Sequence, residues 1–127
     1  MNESLQESLY NKYPKIFEER NWSEDKTCMN FGICCGDGWY GIIDDLCREI
    51  MAHCNKIGKP ITRATQVKQK FGGLRFYVGN TTDEFMDEIE SAEMRSERMC
   101  EVCGDSTDIK NIGGWYKCLC DKHSGMV

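Results

Sequence analysis

The stretch DGWYGIIDDLCREIMAHCNKIGKP, Asp37 to Pro60, decides the fold. Within it Trp39, Ile42, Ile43, Leu46, Ile50, Met51 and Cys54 recur at steps of three and four, the spacing that gathers side chains on one side of an α-helix. So broad an apolar stripe has to be covered by other parts of the chain. Asp37 stands where an N-cap belongs, and Gly58 followed by Pro60 reads as the stop.

Downstream, Arg63 to Phe71 and Leu74 to Gly79 read as two strands joined across Gly72-Gly73, with Val67, Leu74, Phe76 and Val78 on the inward face. Thr81 and Glu84 then form a capping-box pair, and Phe85, Ile89, Ala92, Ser96 and Met99 follow at helical spacing, so that an acidic helix runs into Cys100. Upstream, Glu3 to Tyr10 reads as a short helix with Leu5 and Leu9 on one side. Pro14 ends it or opens another turn at Lys15-Ile16-Phe17, and the whole is a packing arm. Residues 21 to 36 lack periodicity and read as a loop or an irregular edge strand. The expected class is α+β, with helices packed on a small antiparallel sheet. Residues 1 to 99 form its core, and a seam near Met99 precedes a tail of residues 100 to 127.

At 127 residues, 40% hydrophobic and 29% charged, the composition is that of an ordinary globular protein rather than a disordered chain. No apolar run approaches the roughly 20 residues a membrane span needs, and the start Met1-Asn2-Glu3-Ser4 is polar and acidic, so a soluble, cytoplasmic protein without membrane contact is expected. The nine cysteines are odd in number and no export signal accompanies them, which favours thiols and a metal site over a disulfide framework. A small core also benefits from a metal staple.

The tail carries the strongest chemical signal. Cys100-Glu101-Val102-Cys103-Gly104 is followed by Cys120-Asp121-Lys122-His123, with sixteen residues between Cys103 and Cys120. Two close pairs of soft or borderline donors, separated by enough chain to fold back, can fill a tetrahedral zinc shell. Gly104 lets the backbone turn behind the first pair. Ile109 to Ile112 and Trp115 to Cys118 can form a hairpin around Gly113-Gly114, and Cys120 and His123 suit the first turn of a terminal helix. The expected module is a zinc ribbon or treble clef with Cys100, Cys103, Cys120 and His123 as ligands of a structural Zn2+. Cys118, two residues before Cys120, competes for the third place. Four protein donors close a zinc shell, whereas a catalytic ion keeps a position for water.

The remaining thiols read more blandly. Cys47 and Cys54 are small apolar residues near the long helix's stripe, and Cys28, Cys34 and Cys35 match no compact ligand pattern. Cys35 precedes Gly36-Asp37-Gly38 and a helix start, which favours a thiolate, but no histidine partner can be named. His53 is the other histidine and reads as a helix-surface side chain. The Gly-rich run before Trp39 lacks the lysine and serine or threonine of a phosphate loop, and reads as a tight turn that packs Trp39.

The net charge of −5 is unevenly spread: Lys56, Lys59, Arg63, Lys68, Lys70 and Arg75 fall in a stretch from Asn55 to Thr82 that has no Asp or Glu. Asp83, Glu84, Asp87, Glu88, Glu90, Glu93 and Glu97 come next. Strand alternation puts Gln66, Lys68, Lys70, Arg75 and Tyr77 on the second face of the hairpin, able to hold a phosphate, a nucleotide or an acidic protein segment. The plain alternative is a solvated face whose charges oppose edge aggregation.

The runs CGDGWYGIIDDLC (Cys35 to Cys47), QVKQKFGGLRFY (Gln66 to Tyr77), and CEVCG followed by GGWYKCLCDKH resemble a group of small bacteriophage and prophage proteins with a zinc-finger-like C-terminal tail. The resemblance spans most of the chain from residue 31 onward and brings no established activity. It implies Cys-x-x-Cys and Cys-x-x-His as the ligand pairs, which places Cys120 before Cys118. It also implies a location in a bacterial host cell and an accessory role that modulates a host factor or host defence by binding. The leading expectation is thus a non-enzymatic, zinc-stabilised binding protein for a host protein or an anionic small ligand.

Two other classes remain open. Nucleic-acid binding would use the tail's Lys110, Lys117 and Lys122 with Trp115 and Tyr116, although Glu101, Asp105, Asp108 and Asp121 offset much of that charge. A treble-clef nuclease would need a histidine base outside the zinc shell, and His53 alone would be left for it.

Overall fold

The computed structural model describes residues 1–79, 81, 83–106, 109–112 and 117–124. Its elements in chain order are α1 (Glu3–Lys12), β1 (Ile33–Cys34), α2 (Tyr40–Ile57), β2 (Ala64–Lys70), β3 (Gly73–Val78), α3 (Asp83–Ser96), β4 (Lys110–Ile112), β5 (Lys117–Leu119) and α4 (Asp121–Ser124). Helices and a three-stranded sheet in the order β1-β2-β3 make the α+β class expected from the pattern.

Helix α2 buries Ile42, Ile43, Leu46, Cys47, Ile50 and Cys54, and Trp39 just ahead of it is wholly buried. Full burial of each large side chain contributes about 2 kcal/mol, which holds the helix in place more firmly than any cap. Gly58 ends it in the left-handed region at φ 67, its N–H donating to the Cys54 carbonyl. The start differs from expectation. A single 3-10 turn, Asp37–Trp39, leads into the helix, and Asp37 does not cap it. Its carboxylate instead accepts the backbone N–H and side-chain amide of Asn2, at 2.7 and 2.8 Å, and so ties the N-terminus to α2. Asn2 is itself the N-cap of α1, accepting from the Leu5 N–H.

The sheet is mixed rather than purely antiparallel. β1 pairs with β2 in parallel, Ile33 opposite Val67 and Cys34 opposite Lys68. The cause is connectivity: α2 carries the chain from one strand to the next, and a strand–helix–strand crossover returns it in the same direction. The antiparallel β2–β3 hairpin is as expected, but its two-residue loop is Phe71-Gly72, with Gly73 already paired to Lys70. Both loop residues have positive φ, 54 and 78, as a tight hairpin turn with the twist of its strands demands. An irregularity at Ala64/Gln66 lets Ala64 and Val67, three apart, both face inward.

The inward face of the sheet meets α1, α2 and α3 in one buried cluster that includes Leu9, Ile16, Phe17, Leu46, Val67, Leu74, Phe76 and Ile89. Residues 13 to 17 continue the packing arm: Phe17 lies edge-on to Phe76, and the Ile16 carbonyl accepts the Ala64 N–H at 2.8 Å. Both outer strands are closed by side chains. Gln6 Oε1 accepts the Ile33 N–H on β1, while Ser96 Oγ and Glu93 Oε2 accept the Leu74 and Phe76 N–H groups on β3. Helix α3 thus takes the place of a fourth strand, leaving little backbone open for edge pairing. Its buried stripe of Phe85, Ile89, Ala92 and Ser96 matches the sequence reading. The Glu84 half of the capping box lies outside the described side chains.

Candidate metal centre and binding face

The first ligand pair sits on a sharp turn. The Gly104 N–H returns to the Cys100 carbonyl at 2.8 Å, the Cys100 N–H reaches the Asp105 carbonyl at 2.7 Å, and Gly104 has φ 82. β4 and β5 pair antiparallel, with Lys110 opposite Leu119, and so carry the chain back to that turn. α4 then starts directly after Cys120, and the His123 and Ser124 N–H groups both bond the Cys120 carbonyl. The turn of the hairpin at Gly113-Gly114 lies outside the described residues.

This brings Cys100, Cys103, Cys120 and His123 together, their ligand atoms all within 4.8 Å of one another. Cys103 Sγ is 3.8 Å from Cys120 Sγ, and His123 Nδ1 is 3.6 Å from Cys100 Sγ and 3.2 Å from Cys120 Sγ. With metal–sulfur bonds of about 2.3 Å, the edge of a tetrahedron is about 3.8 Å, so three thiols and one imidazole at these separations fit a single four-coordinate ion. Burial opposes ionisation of Cys100, but N–H groups of Cys120, Cys103 and Val102 and the Cys120 side chain outweigh it and bring the thiol down to about 6. Thiolate is the form a metal needs.

Cys118 is not part of the cluster. Its sulfur points to the end of α3, donating toward the carbonyls of Glu97 at 3.1 Å, Met99 at 3.2 Å and Ser96 at 3.5 Å. Burial pushes this thiol up to about 11. Strand alternation, which turns neighbouring side chains to opposite faces, explains why β5 sends Cys118 to the core.

The run Cys35 to Trp39 does more than pack Trp39. Gly38 N–H donates to the Glu101 carbonyl at 2.7 Å, Gly36 N–H to the Glu101 carboxylate at 2.8 Å, and Trp39 Nε1 to the Met99 carbonyl at 2.9 Å. A Cβ on Gly38 would stand 2.1 Å from the Cys100 carbonyl oxygen and 2.5 Å from Gly104 N. The two glycines therefore seat the metal-binding turn on the entry to α2. The Gly-x-Gly spacing was visible in the sequence, but its partner, more than sixty residues away, was not.

The other thiols take no part. Cys35 is buried, and burial with Glu101 nearby pushes its thiol up to about 12, away from the thiolate a nucleophile needs. Cys47 is fully buried and Cys54 pairs with the Thr62 hydroxyl at 3.6 Å. Cys28 and Cys34 are exposed. Among the described residues the tail cluster is the one group of three or more donors close enough to share an ion. His53 stacks on Phe85 with ring centroids 5.0 Å apart, joining α2 to α3.

On the hairpin, the register sets Gln66 opposite Tyr77 and Lys68 opposite Arg75, with Lys70 next along β2. All five residues of the expected face thus share the side of the sheet away from the helices, and Cys34 of β1 joins them beside Lys68. Lys68 Nζ lies over the Tyr77 ring at 5.9 Å, and Lys70 Nζ over the Phe71 ring at 5.6 Å. Arg75 departs from the simple picture. Its guanidinium bends to the β3 edge and bonds the Leu74 carbonyl at 3.0 Å, next to a groove of about 410 Å³ that Met86, Glu90 and Glu93 also line. In the tail, Trp115, Tyr116 and Asp108 lie outside the described residues, as do the side chains of Lys110 and Lys117.

No protein-family model, curated protein or solved structure matches this chain. No helix among the described residues is long and apolar enough to cross a membrane.

Proposed function

We propose that this chain is a non-enzymatic binding protein whose tail is closed by a structural zinc ion and whose hairpin face captures an anionic group of its partner. The observation that carries the reading is the pair Lys68 and Lys70, two residues apart on one face of β2, with no carboxylate among the described residues within ion-pair distance of either. Two ammonium groups held roughly 7 Å apart on one face attract an anion between them, and a phosphate or carboxylate can accept from both. Zinc is supported by the donor set, because three thiols and an imidazole at tetrahedral spacing suit a borderline-soft ion. The order of metal-binding turn, hairpin and short helix supports a treble-clef or zinc-ribbon assignment.

A role outside catalysis follows from four protein donors, which leave the ion no open position. In keeping with the resemblance to phage proteins, the captured group belongs to a host factor, and binding modulates it.

Two measurements test the proposal. Purified protein should hold one zinc per chain, and Cys103→Ala or His123→Ala should lose it; full metal content in either variant removes the site. Lys68→Gln, Lys70→Gln and Arg75→Gln together should abolish capture of the partner from bacterial cells while leaving the fold intact. Undiminished capture removes the face.

A further inference from the structure

We infer that the ligand of the hairpin face is single-stranded nucleic acid, with bases stacked on Tyr77 and Phe71 and phosphates held by Lys68 and Lys70. The inference rests on the proposed anion-binding face and says what lies on it.

The first ground is repetition. Along one hairpin the same couple occurs twice, an ammonium beside an aromatic ring: Lys68 with Tyr77 at 5.9 Å and Lys70 with Phe71 at 5.6 Å. The two lysines are two residues apart on β2, hence on one face and roughly 7 Å from each other. An extended single strand offers the matching repeat, a flat base and a charged phosphate in each unit. Among the described residues, no carboxylate is within ion-pair distance of either lysine.

The second ground is the surplus of exposed rings. Phe71 and Tyr77 are both exposed large side chains on this hairpin. Tyr77 lies within β3 opposite Gln66, while Phe71 forms the hairpin tip. Phe71 is also held at φ 54, a conformation in which a bulky residue is strained and asparagine or glycine is at ease. Its side chain stands exposed at the turn, where a base can reach the ring.

The third ground separates this ligand from an acidic peptide. Peptides commonly dock on sheets by adding a strand, but Gln6, Ser96 and Glu93 already occupy the outer backbone donors of β1 and β3. Recognition is left to the face, where rings and ammonium groups suit bases and phosphates. Glutamate side chains would use the lysines and leave the rings idle.

The test is titration of a labelled oligothymidylate and an oligouridylate of about twelve nucleotides, within the usual site sizes, at several salt concentrations. Saturable binding is expected to weaken with salt at a log–log slope of about −1.4 for two phosphates on single strands. Tyr77→Ala and Phe71→Gly should each weaken binding roughly tenfold without changing that slope, whereas Tyr77→Phe should bind normally. Lys68→Gln with Lys70→Gln should flatten the slope. The inference falls if Tyr77→Ala and Phe71→Gly bind as tightly as the parent, or if a glutamate-rich peptide is bound in place of the oligonucleotides. The peptide outcome leaves the anion-binding face standing. Failure of both ligands together with undiminished host-cell capture by the triple variant removes the face as well.

Discussion

Cys118 shows how one side chain can resemble a ligand and serve another end. Its thiol meets the carbonyls of Ser96, the last residue of α3, and of Glu97 and Met99 just past it, where orphan acceptors otherwise need a donor. Cys118→Ala is expected to lower stability by about 1–2 kcal/mol with zinc content unchanged, measured by denaturant unfolding and metal analysis. Loss of zinc in that variant would return Cys118 to the ligand set. At Phe71 the expectation has the opposite sign: Phe71→Asn relieves the strain at φ 54 and should raise stability by about 1 kcal/mol in the same assay. A drop instead would mean that the ring packs against the fold.

Among the elements, α1 is clamped to α2 by charge. Asp44 accepts the Tyr13 hydroxyl at 2.7 Å, Lys12 at 2.8 Å and Arg48 at 3.1 Å. Partial burial opposes its ionisation, yet Lys12, Tyr13 and Arg48 prevail and hold the carboxyl below its ordinary 3.8. A carboxyl lowered by folding contributes stability above its unfolded value, and that contribution is lost as pH falls through the folded value. Asp44→Asn should therefore cost stability at neutral pH and shrink the difference from the parent below about pH 3.8, followed by thermal melts across the acid limb. A pH-independent difference would assign the effect to packing. On α3, Ser96→Ala leaves the buried Leu74 N–H without its acceptor, an expected loss of about 1–3 kcal/mol by chemical unfolding.

For the whole molecule, the metal-binding turn and the core share hydrogen bonds at Gly36, Gly38 and Trp39. Metal binding is folding free energy where a site is assembled by folding, so the effect of removing the ion should reach α2. Calorimetry with and without chelator is expected to show one transition that moves to lower temperature as a unit. Separate melting of tail and core would contradict the coupling. Gly38→Ala should reproduce part of that shift with all four ligands intact, because its Cβ would meet the Cys100 carbonyl at 2.1 Å.

Periodicity alone marked α2, α3 and the hairpin, because a half-buried helix or strand writes its inward face into the chain at fixed intervals. The cluster of four donors was legible for a similar reason: Cys100 with Cys103, and Cys120 with His123, are close in sequence, and local spacing constrains how they meet. What tertiary structure decided is whatever depends on partners distant in the chain. The parallel placement of β1, the use of Asp37 to hold Asn2 and the turn of Cys118 toward α3 all belong here. So do the seating of Cys100 to Gly104 on Gly36 and Gly38 and the closing of the β3 edge by Ser96 and Glu93. Each is a hydrogen bond or close approach between segments whose separation leaves no periodic trace, so it exists only once the chain has folded.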